Sequence, residues 1–296
     1  MQNMTPLRYP GGKSLMTPFF IDVLKINGLL GSTYAEPYAG GAGAAINLLL
    51  GDYVNRIMIN DADMAIYSFW KYLKEDNQRM IDDVIACDVN LNTWQQMKTI
   101  FTTSNEPSYE LAFATFFLSR TNRSGILNAG PIGGSSEDAQ ERAKYKIDCR
   151  FNKNDLVNRI KELGNRKSDI YVSNKDALKF LKDLRNSNYF VYLDPPYYDK
   201  GEYLYMSYYQ KEDHQELAKY LRQTDKFSWI LSYDDNDAIK DMYSNFKLFH
   251  FPLRYTAQNV KTGWELLCHS TNLKMPDPFV IRRNGKNDIQ IERVYY

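Results

Sequence analysis

The apolar residues of this chain fall into short runs separated by longer amphipathic stretches, a pattern typical of strands that alternate with helices. A strand at residues 33–35 leads into a glycine-containing turn, and residues 44–50 form a helix of small residues and leucine. A second strand at 56–59 ends at Asn60-Asp61 and precedes a helical pattern from 64 to 73. This order predicts a βαβ unit with parallel strands.

Further strand-like runs occur in the second half of the chain, at residues 170–172, 189–193, 227–232 and 266–269. Residues 75–166 differ in character, because they are helical at 94–101 and 109–118 and then rich in loops. We therefore predict an α/β catalytic domain formed by residues 1–74 and 167–296. Residues 75–166 would be an inserted, mainly helical module.

The predicted strand at 189–193 ends at Asp194-Pro195-Pro196-Tyr197. Proline fixes its own φ and restricts the residue before it, so this turn would hold Asp194 rigidly where open α/β sheets bind ligands. The Asp194 carboxylate and the Pro195 carbonyl could both accept hydrogen bonds from one planar amine, with Tyr197 as a stacking surface. The motif indicates a site for the amino group of an aromatic base, and a surface Asp-Pro-Pro turn is the alternative.

Gly40, Gly41 and Gly43 follow the first predicted strand. Glycine there lets a ligand approach the backbone, and the next helix offers N–H groups at its N-terminus. Their spacing is not G-x-G-x-x-G, and a turn that only closes the connection is the alternative. Asp61 ends the next strand, where an acid accepts hydrogen bonds from ribose hydroxyls, although it could instead cap a helix. Together these residues favour an adenosine-containing cofactor.

Two more charged residues are candidates for the same ligand. Lys13 follows Gly11 and Gly12 and could bind the carboxylate of an amino-acid-bearing cofactor, or it could be a chance lysine in a disordered leader. Asp176 follows the strand at 170–172 and could accept a hydrogen bond from an adenine amine or cap a helix. A group of tyrosines could form a mobile lid or pack in the core: Tyr197, Tyr198, Tyr203, Tyr205, Tyr208 and Tyr209.

The loop-rich part of the insert brings Arg120, Asn122 and Arg123 together at a turn, and Lys144 and Arg150 add positive charge further along. Arginine pairs bidentately with guanine and asparagine with adenine, and both bind phosphates. These five residues are candidates for DNA binding. A solvated loop and a charged helix face are the alternative.

Composition adds few constraints. The 296 residues include 37 basic and 36 acidic residues, giving a formal charge of +1, so a nucleic-acid binder would need a basic face offset by acids elsewhere. The three cysteines lack paired spacing and the three histidines are dispersed, which predicts no disulfide framework and no metal site. No apolar run reaches the length of a membrane span.

In combination and order, these motifs resemble those of the Dam-like (alpha-group) DNA adenine-N6 methyltransferases over most of the chain. The matching segments are residues 8–13, 36–41, 60–61, 122–125 and 194–197. The resemblance implies a Rossmann-like sheet that binds S-adenosylmethionine, and a target-recognition insert that binds double-stranded DNA. It implies that Tyr9, Lys13 and Asp61 contact the cofactor and that Asp194 lies where the cofactor and the target adenine meet. Together with the residues considered above, the predicted cofactor contacts are Tyr9, Lys13, Pro37, Tyr38, Gly40, Gly41, Gly43, Asp61, Asp176 and Asp194.

The same resemblance implies that residues 194–197 form the catalytic motif, and that Asn122 and Arg123 belong to a DNA-contacting hairpin. Residues 127–134 depart from the Dam pattern, so the resemblance does not imply GATC as the target sequence. It implies a cytoplasmic enzyme of a bacterial or phage-infected cell, with a restriction endonuclease as a conceivable counterpart. Two alternatives stay open: an amino-methyltransferase acting on cytosine N4, RNA or a protein amide, and a non-catalytic DNA-binding relative.

Overall fold

The computed structural model describes residues 3–184, 188–198, 209–255, 261–283 and 286–294. Eight strands within these residues form one sheet in the order β10-β6-β7-β5-β4-β1-β2-β3, and β8 pairs with β9 separately. The strands are β1 (Thr33–Glu36), β2 (Arg56–Asn60), β3 (Ile170–Ser173), β4 (Tyr189–Leu193), β5 (Ser228–Asp234), β6 (Phe249–Tyr255), β7 (Lys261–His269), β8 (Val280–Ile281), β9 (Ile289–Gln290) and β10 (Glu292–Arg293).

Helices pack on both faces of the sheet, where they form two separate apolar clusters, and they also make up most of the predicted insert. They are α1 (Thr17–Ile26), α2 (Gly43–Leu50), α3 (Met64–Glu75), α4 (Asn77–Ala86), α5 (Leu91–Thr103), α6 (Tyr109–Thr121), α7 (Glu137–Arg142), α8 (Lys153–Asn165), α9 (Ala177–Asp183), α10 (Lys211–Gln223) and α11 (Asp237–Met242). Short 3₁₀ turns occur at Ser14–Met16, Arg123–Gly125 and Lys167–Asp169. The predicted α/β architecture with a mainly helical insert is confirmed.

The direction of the strands locates the place where a ligand can bind. Strands β3, β2, β1, β4 and β5 are parallel, whereas β7 is antiparallel to β5 and to β6. The chain leaves β1 toward β2 and β3 and then returns to place β4 on the other side of β1. Strand order therefore reverses between β1 and β4, and the crevice at the carboxyl ends of these two strands is the expected ligand site.

The insert shares its core with the sheet domain. Phe116 of α6 stacks on Phe69 of α3, with ring centroids 6.0 Å apart and planes 9° from parallel. Phe151 packs edge-on against the same Phe116 ring. All three side chains are buried in one continuous apolar cluster that also contains Ile57 of β2. The insert is thereby fixed rigidly against the helix that follows β2.

The helices end well short of membrane-spanning length. In the described part of the chain, none is both long and apolar enough to cross a bilayer.

Candidate active site

Asp194 lies directly after the buried strand β4, at the crevice between β1 and β4. Lys13 Nζ donates to both of its carboxylate oxygens, at 2.7 Å to Oδ1 and 2.9 Å to Oδ2. Ser232 Oγ donates to Oδ1 at 3.2 Å, and the Tyr192 hydroxyl lies 2.6 Å from Ser232 Oγ. The Asp194 side chain keeps 23% of its surface exposed, so it is held from beneath and remains open to a ligand from above.

A second carboxylate, Glu265 of β7, lies beneath Asp194 and is fully buried. Its Oε1 accepts a hydrogen bond of 2.7 Å from the Tyr197 hydroxyl, and its Oε2 lies 3.6 Å from Lys13 Nζ. Burial alone would lower the pKa of Lys13, but the two carboxylates outweigh that effect and hold the pKa well above its usual value. Lys13 is therefore a permanent cation between two acids.

The sequence reasoning did not find Glu265. Its one signal is an acid next to the apolar run Leu266-Leu267-Cys268, since an acid in a buried strand needs a partner.

An open cleft extends from Asp194 across the carboxyl ends of β1 and β2, with about 870 Å³ of empty space including its mouth. Ten of the residues predicted to act at the site line this cleft: Tyr9, Lys13, Tyr38, Gly40, Gly41, Gly43, Asp61, Asp176, Asp194 and Pro196. We call it the carboxyl-end cleft.

Asp61 is positioned by the backbone around it. Its Oδ2 accepts from Gly40 N at 2.8 Å, and its Oδ1 accepts from Asp63 N at 2.9 Å. Burial, with a smaller contribution from Asp63, raises the pKa of Asp61 to about 7. The helix cap that the sequence left as an alternative is made by Asp63, whose Oδ1 accepts from the first turn of α3. The Asp61 carboxylate thus faces the cleft instead of capping a helix.

The three predicted glycines are required by packing within the chain. Gly40 has φ +44°, and a Cβ there would lie 2.6 Å from the Tyr9 ring. A Cβ on Gly41 would lie 2.9 Å from Tyr9 Cβ, and one on Gly43 would lie 2.9 Å from Ser14 Cβ. The glycine loop therefore lets the N-terminal segment lie directly on it, and this contact brings Tyr9 and Lys13 into the cleft.

Asn60, at the end of β2, joins the loops that follow three strands, and it is 1% exposed. Its Nδ2 donates to Pro37 O at 3.0 Å and to Lys175 O at 2.9 Å. Its Oδ1 accepts from Ser173 Oγ at 2.8 Å and from Lys175 N at 2.9 Å. One amide thereby fixes the loops after β1, β2 and β3 around the cleft. Pro37, predicted as a cofactor contact, is buried, and its carbonyl serves this framework.

Two more acidic residues, Asp176 and Glu36, line the cleft. Asp176 is exposed at the mouth of the cleft and caps α9 by accepting from Lys179 N at 2.9 Å. The cap that the sequence gave as one alternative is therefore present, and the contact with an adenine amine stays a prediction. Glu36 lies at the base of the cleft, where burial raises its pKa to about 8 despite hydrogen bonds from the Tyr34 hydroxyl and Ala45 N.

The tyrosines that follow Asp194 are fixed where the structure describes them. The Tyr209 hydroxyl lies 2.7 Å from that of Tyr38, and Tyr198 packs 5.1 Å from the His214 ring. Tyr203, Tyr205 and Tyr208 lie outside the described residues.

The segment that contains the cleft and the acid-proline motif matches a known family. A family model for D12 class N6 adenine-specific DNA methyltransferases matches residues 9–256, which is most of the chain. The chain belongs to this family. It is also similar to the type II methyltransferase M.CviBI of Paramecium bursaria Chlorella virus NC1A, with 23% identity over 255 residues that cover 85% of this chain and 91% of the relative. The predicted activity, methylation of adenine N6 in DNA, is confirmed.

In this methyltransferase, two of the predicted DNA contacts make their hydrogen bonds to the protein's own backbone. Arg120 donates to the carbonyls of Pro6 and Thr5, and burial lowers its pKa to about 10. Asn122 is fully buried, where its Nδ2 donates to the carbonyls of Ile126 and Leu127. These contacts favour a structural role for both side chains, because each already has protein partners. Asn122 is enclosed and cannot reach a duplex as it stands, whereas Arg120 is partly exposed.

The other three predicted DNA contacts are on the surface of the methyltransferase. Arg123, Lys144 and Arg150 are exposed, and the Lys144 ammonium lies over the Tyr145 ring at 5.6 Å. Arg8 donates to Asn122 O at 3.3 Å, so the turn at Asn122 is tied to the same N-terminal segment that enters the cleft. The predicted recognition turn and the carboxyl-end cleft are therefore neighbours in the fold.

Proposed function

We propose that the carboxyl-end cleft binds S-adenosylmethionine and that Asp194 holds the adenine amine at its edge. The observation that carries this proposal is the position of Asp194, which follows β4 at the point where the strand order reverses and forms one end of the cleft. An amine that bonded to Asp194 would lie directly beside a ligand in the cleft. That juxtaposition is the requirement for direct group transfer.

The cleft has the charge expected for this cofactor. Five acids line it, against the single lysine among its described lining residues: Glu36, Asp61, Asp63, Asp176 and Asp194. Glu36, with a pKa of about 8, is mostly protonated at neutral pH, so the negative charge comes from the aspartates. S-adenosylmethionine carries an ammonium group, a sulfonium centre and ribose hydroxyls, which carboxylates bind, whereas the phosphates of a dinucleotide would be repelled. In our proposal Asp61 accepts from the ribose, Asp176 accepts from the adenine amine, and Tyr9 and Tyr38 contact the rings and chain.

When bound, the cofactor supplies an electrophilic methyl group on a positively charged sulfur. The nucleophile is adenine N6, whose lone pair is delocalised into the ring. Hydrogen bonds from N6 to the Asp194 carboxylate and the Pro195 carbonyl would favour a pyramidal nitrogen and concentrate that lone pair. As the new carbon–nitrogen bond forms, the electrons of the carbon–sulfur bond return to sulfur, and the proton lost from N6 passes to Asp194. Positioning and fixed dipoles supply the acceleration.

The target base would have to leave the helix, because N6 of a paired adenine cannot reach the cleft in line. We propose that the adenine flips out of double-stranded DNA and stacks on Tyr197. Extrusion of a base costs a few kilocalories per mole, which contacts to the DNA backbone must offset. The Tyr197 hydroxyl is fixed by Glu265, which holds its ring in one orientation. Tyr197 is 8% exposed and lies beside the cleft-lining Pro196, so in this proposal the adenine contacts the small part of the ring that is open.

Replacing Asp61 tests the cofactor part of the proposal. For Asp61→Asn we expect calorimetry to show a roughly tenfold to hundredfold loss of affinity for S-adenosylmethionine, the range for hydrogen bonds to a charged group. Because the pKa of Asp61 is about 7, wild-type affinity should also rise between pH 6 and pH 8 as the carboxylate ionises, and this rise should be smaller in the variant. Unchanged affinity in Asp61→Asn would remove Asp61 from the cofactor site.

We further propose that residues 75–166 are the target-recognition module and that Arg123, Lys144 and Arg150 contact DNA. Burial and the positive charge of nearby Arg150 lower the pKa of Arg8. Arg8 directly precedes Tyr9, which lines the cleft. Arg150, and Arg123 through its neighbour Asn122, are therefore on the side of the module that meets the active site. Since the relative from the chlorella virus is a type II methyltransferase, we propose a restriction endonuclease as the counterpart of this enzyme.

Arg123→Ala should weaken DNA binding without changing cofactor affinity. Loss of a phosphate contact lowers the slope of log affinity against log salt by about one, and loss of a base contact relaxes specificity at one position. Fluorescence anisotropy with a labelled duplex at several salt concentrations separates the two. The matched control is Arg79→Ala, because Arg79 is exposed on α4 and pairs with Glu110 at 3.1 Å. If both substitutions weakened DNA binding equally, Arg123 would not be a specific DNA contact and the DNA would have to bind elsewhere.

A further inference from the structure

Lys13 has two acidic partners that differ in exposure. Its side chain is 5% exposed, and its ammonium lies 2.7 Å from Asp194 Oδ1 and 3.6 Å from Glu265 Oε2. Asp194 is 23% exposed at the cleft, whereas Glu265 is 0% exposed. The ammonium therefore hydrogen-bonds to Asp194, the acid that faces the cleft. It would need to move by only about one ångström to hydrogen-bond to Glu265, the buried acid.

This arrangement conflicts with the role proposed for Asp194. Both Asp194 oxygens accept from Lys13 in the structure, and one also accepts from Ser232. A carboxylate whose oxygens already accept hydrogen bonds from an ammonium is a weaker acceptor for the neutral amine of adenine. It is also a weaker base for the proton that this amine loses. Lys13 cannot simply withdraw into water, because it is buried and would need another acceptor.

We infer that Glu265 is a positioning residue that receives Lys13 when the adenine amine binds to Asp194. Its Oε2 accepts the displaced ammonium while its Oε1 keeps the Tyr197 hydroxyl in place. One buried acid thus frees the catalytic carboxylate and orients the stacking ring. Glu265 touches neither the substrate nor the cofactor, and it acts through Lys13 and Tyr197. The inference rests on the role proposed for Asp194.

Glu265→Gln is the variant that tests the inference, because the amide oxygen can still accept from Tyr197 while the charge that attracts Lys13 is lost. We expect kcat for methylation of unmethylated phage DNA to fall at least about tenfold, with KM for both substrates within about threefold of the wild-type values. A variant that changed both KM values or left kcat unchanged would contradict the inference. Thermal unfolding is measured alongside to establish that the variant is folded.

A double-mutant cycle distinguishes this mechanism from a purely structural role. If Glu265 acts by receiving Lys13, then Glu265→Gln should have little further effect on kcat in a Lys13→Met background. If Glu265 only supports the fold, its effect should multiply with that of Lys13→Met. Single-turnover assays keep any slow variant measurable, and multiplicative effects would overturn the inference.

A structure of the wild-type enzyme with S-adenosylhomocysteine and a duplex carrying its mapped target provides an independent test. We expect Lys13 Nζ to lie closer to Glu265 than to Asp194. An ammonium still on Asp194, with adenine bound there, would overturn the inference and leave the proposed function in place. Retained methylation by Asp194→Ala would instead overturn the proposed function itself.

Discussion

Asp194→Ala is expected to reduce methyl transfer about a hundredfold to a thousandfold, the loss seen when one preorganised polar group is removed from an active site. The variant lacks the acceptor that positions N6 and takes its proton. Cofactor affinity should stay within about threefold, because Asp61, Tyr9 and Tyr38 remain in the carboxyl-end cleft. Single-turnover transfer of labelled methyl groups measures the first quantity, and calorimetry measures the second.

Asp194→Asn is the matched control for that experiment. The amide keeps one oxygen that can accept from N6 and from Lys13, but it cannot take up a proton. We expect its rate to lie between those of the wild type and Asp194→Ala. If Asp194→Ala retained turnover near the wild-type rate, the amine-binding role of Asp194 would have to be abandoned.

Asn60→Ala is expected to destabilise the protein by about 3 kcal/mol. Removing the amide leaves several buried partners without their hydrogen bonds, each at a cost of about 1–3 kcal/mol before relaxation: the carbonyls of Pro37 and Lys175, the Lys175 N–H and the Ser173 hydroxyl. Cofactor affinity should fall as well, because the loops around the cleft lose their common tie. Urea denaturation followed by fluorescence measures the change in free energy of unfolding.

Asn174→Ala provides the control for this prediction. Asn174 is exposed in the loop after β3, and its Nδ2 donates to the carbonyls of Asp61 and Ala62. It removes the same chemical group from the same region, but water can replace the lost partner. We expect a change below about 1 kcal/mol. Equal losses from the two variants would mean that burial does not set the importance of Asn60.

The sequence predicted those parts of the site that are contiguous in the chain. Asp194 could be found because an apolar strand leads directly into two prolines, and Asp61 because it ends the next strand of a βαβ unit. Glu265 could not be found in this way, since it lies 68 residues from Tyr197, its hydrogen-bond partner. Only the antiparallel pairing of β7 with β5 brings it beneath Asp194.

Arg120 and Asn122 were predicted as DNA contacts from their residue type, which does not reveal how far a side chain is buried. Both have side chains suited to DNA, and both lie in a segment with the composition of a loop. In the fold, Asn122 ends α6 and is covered by Trp94, whose Nε1 donates to Asn122 Oδ1 at 2.7 Å. The glycines at positions 40, 41 and 43 were likewise predicted to let a ligand approach the backbone. In the fold, the group that approaches them most closely is Tyr9 or Ser14 of the chain itself, which the sequence could not reveal.

The most direct test of the central claim is the identity of the methylated nucleoside. Purified enzyme is incubated with unmethylated DNA and S-adenosylmethionine carrying a labelled methyl group, and the DNA is digested to nucleosides for chromatography and mass spectrometry. The account predicts label in N6-methyladenine, and its absence from the reaction with Asp194→Ala. Label in N4-methylcytosine, or unlabelled DNA with the cofactor still bound by the enzyme, would contradict it.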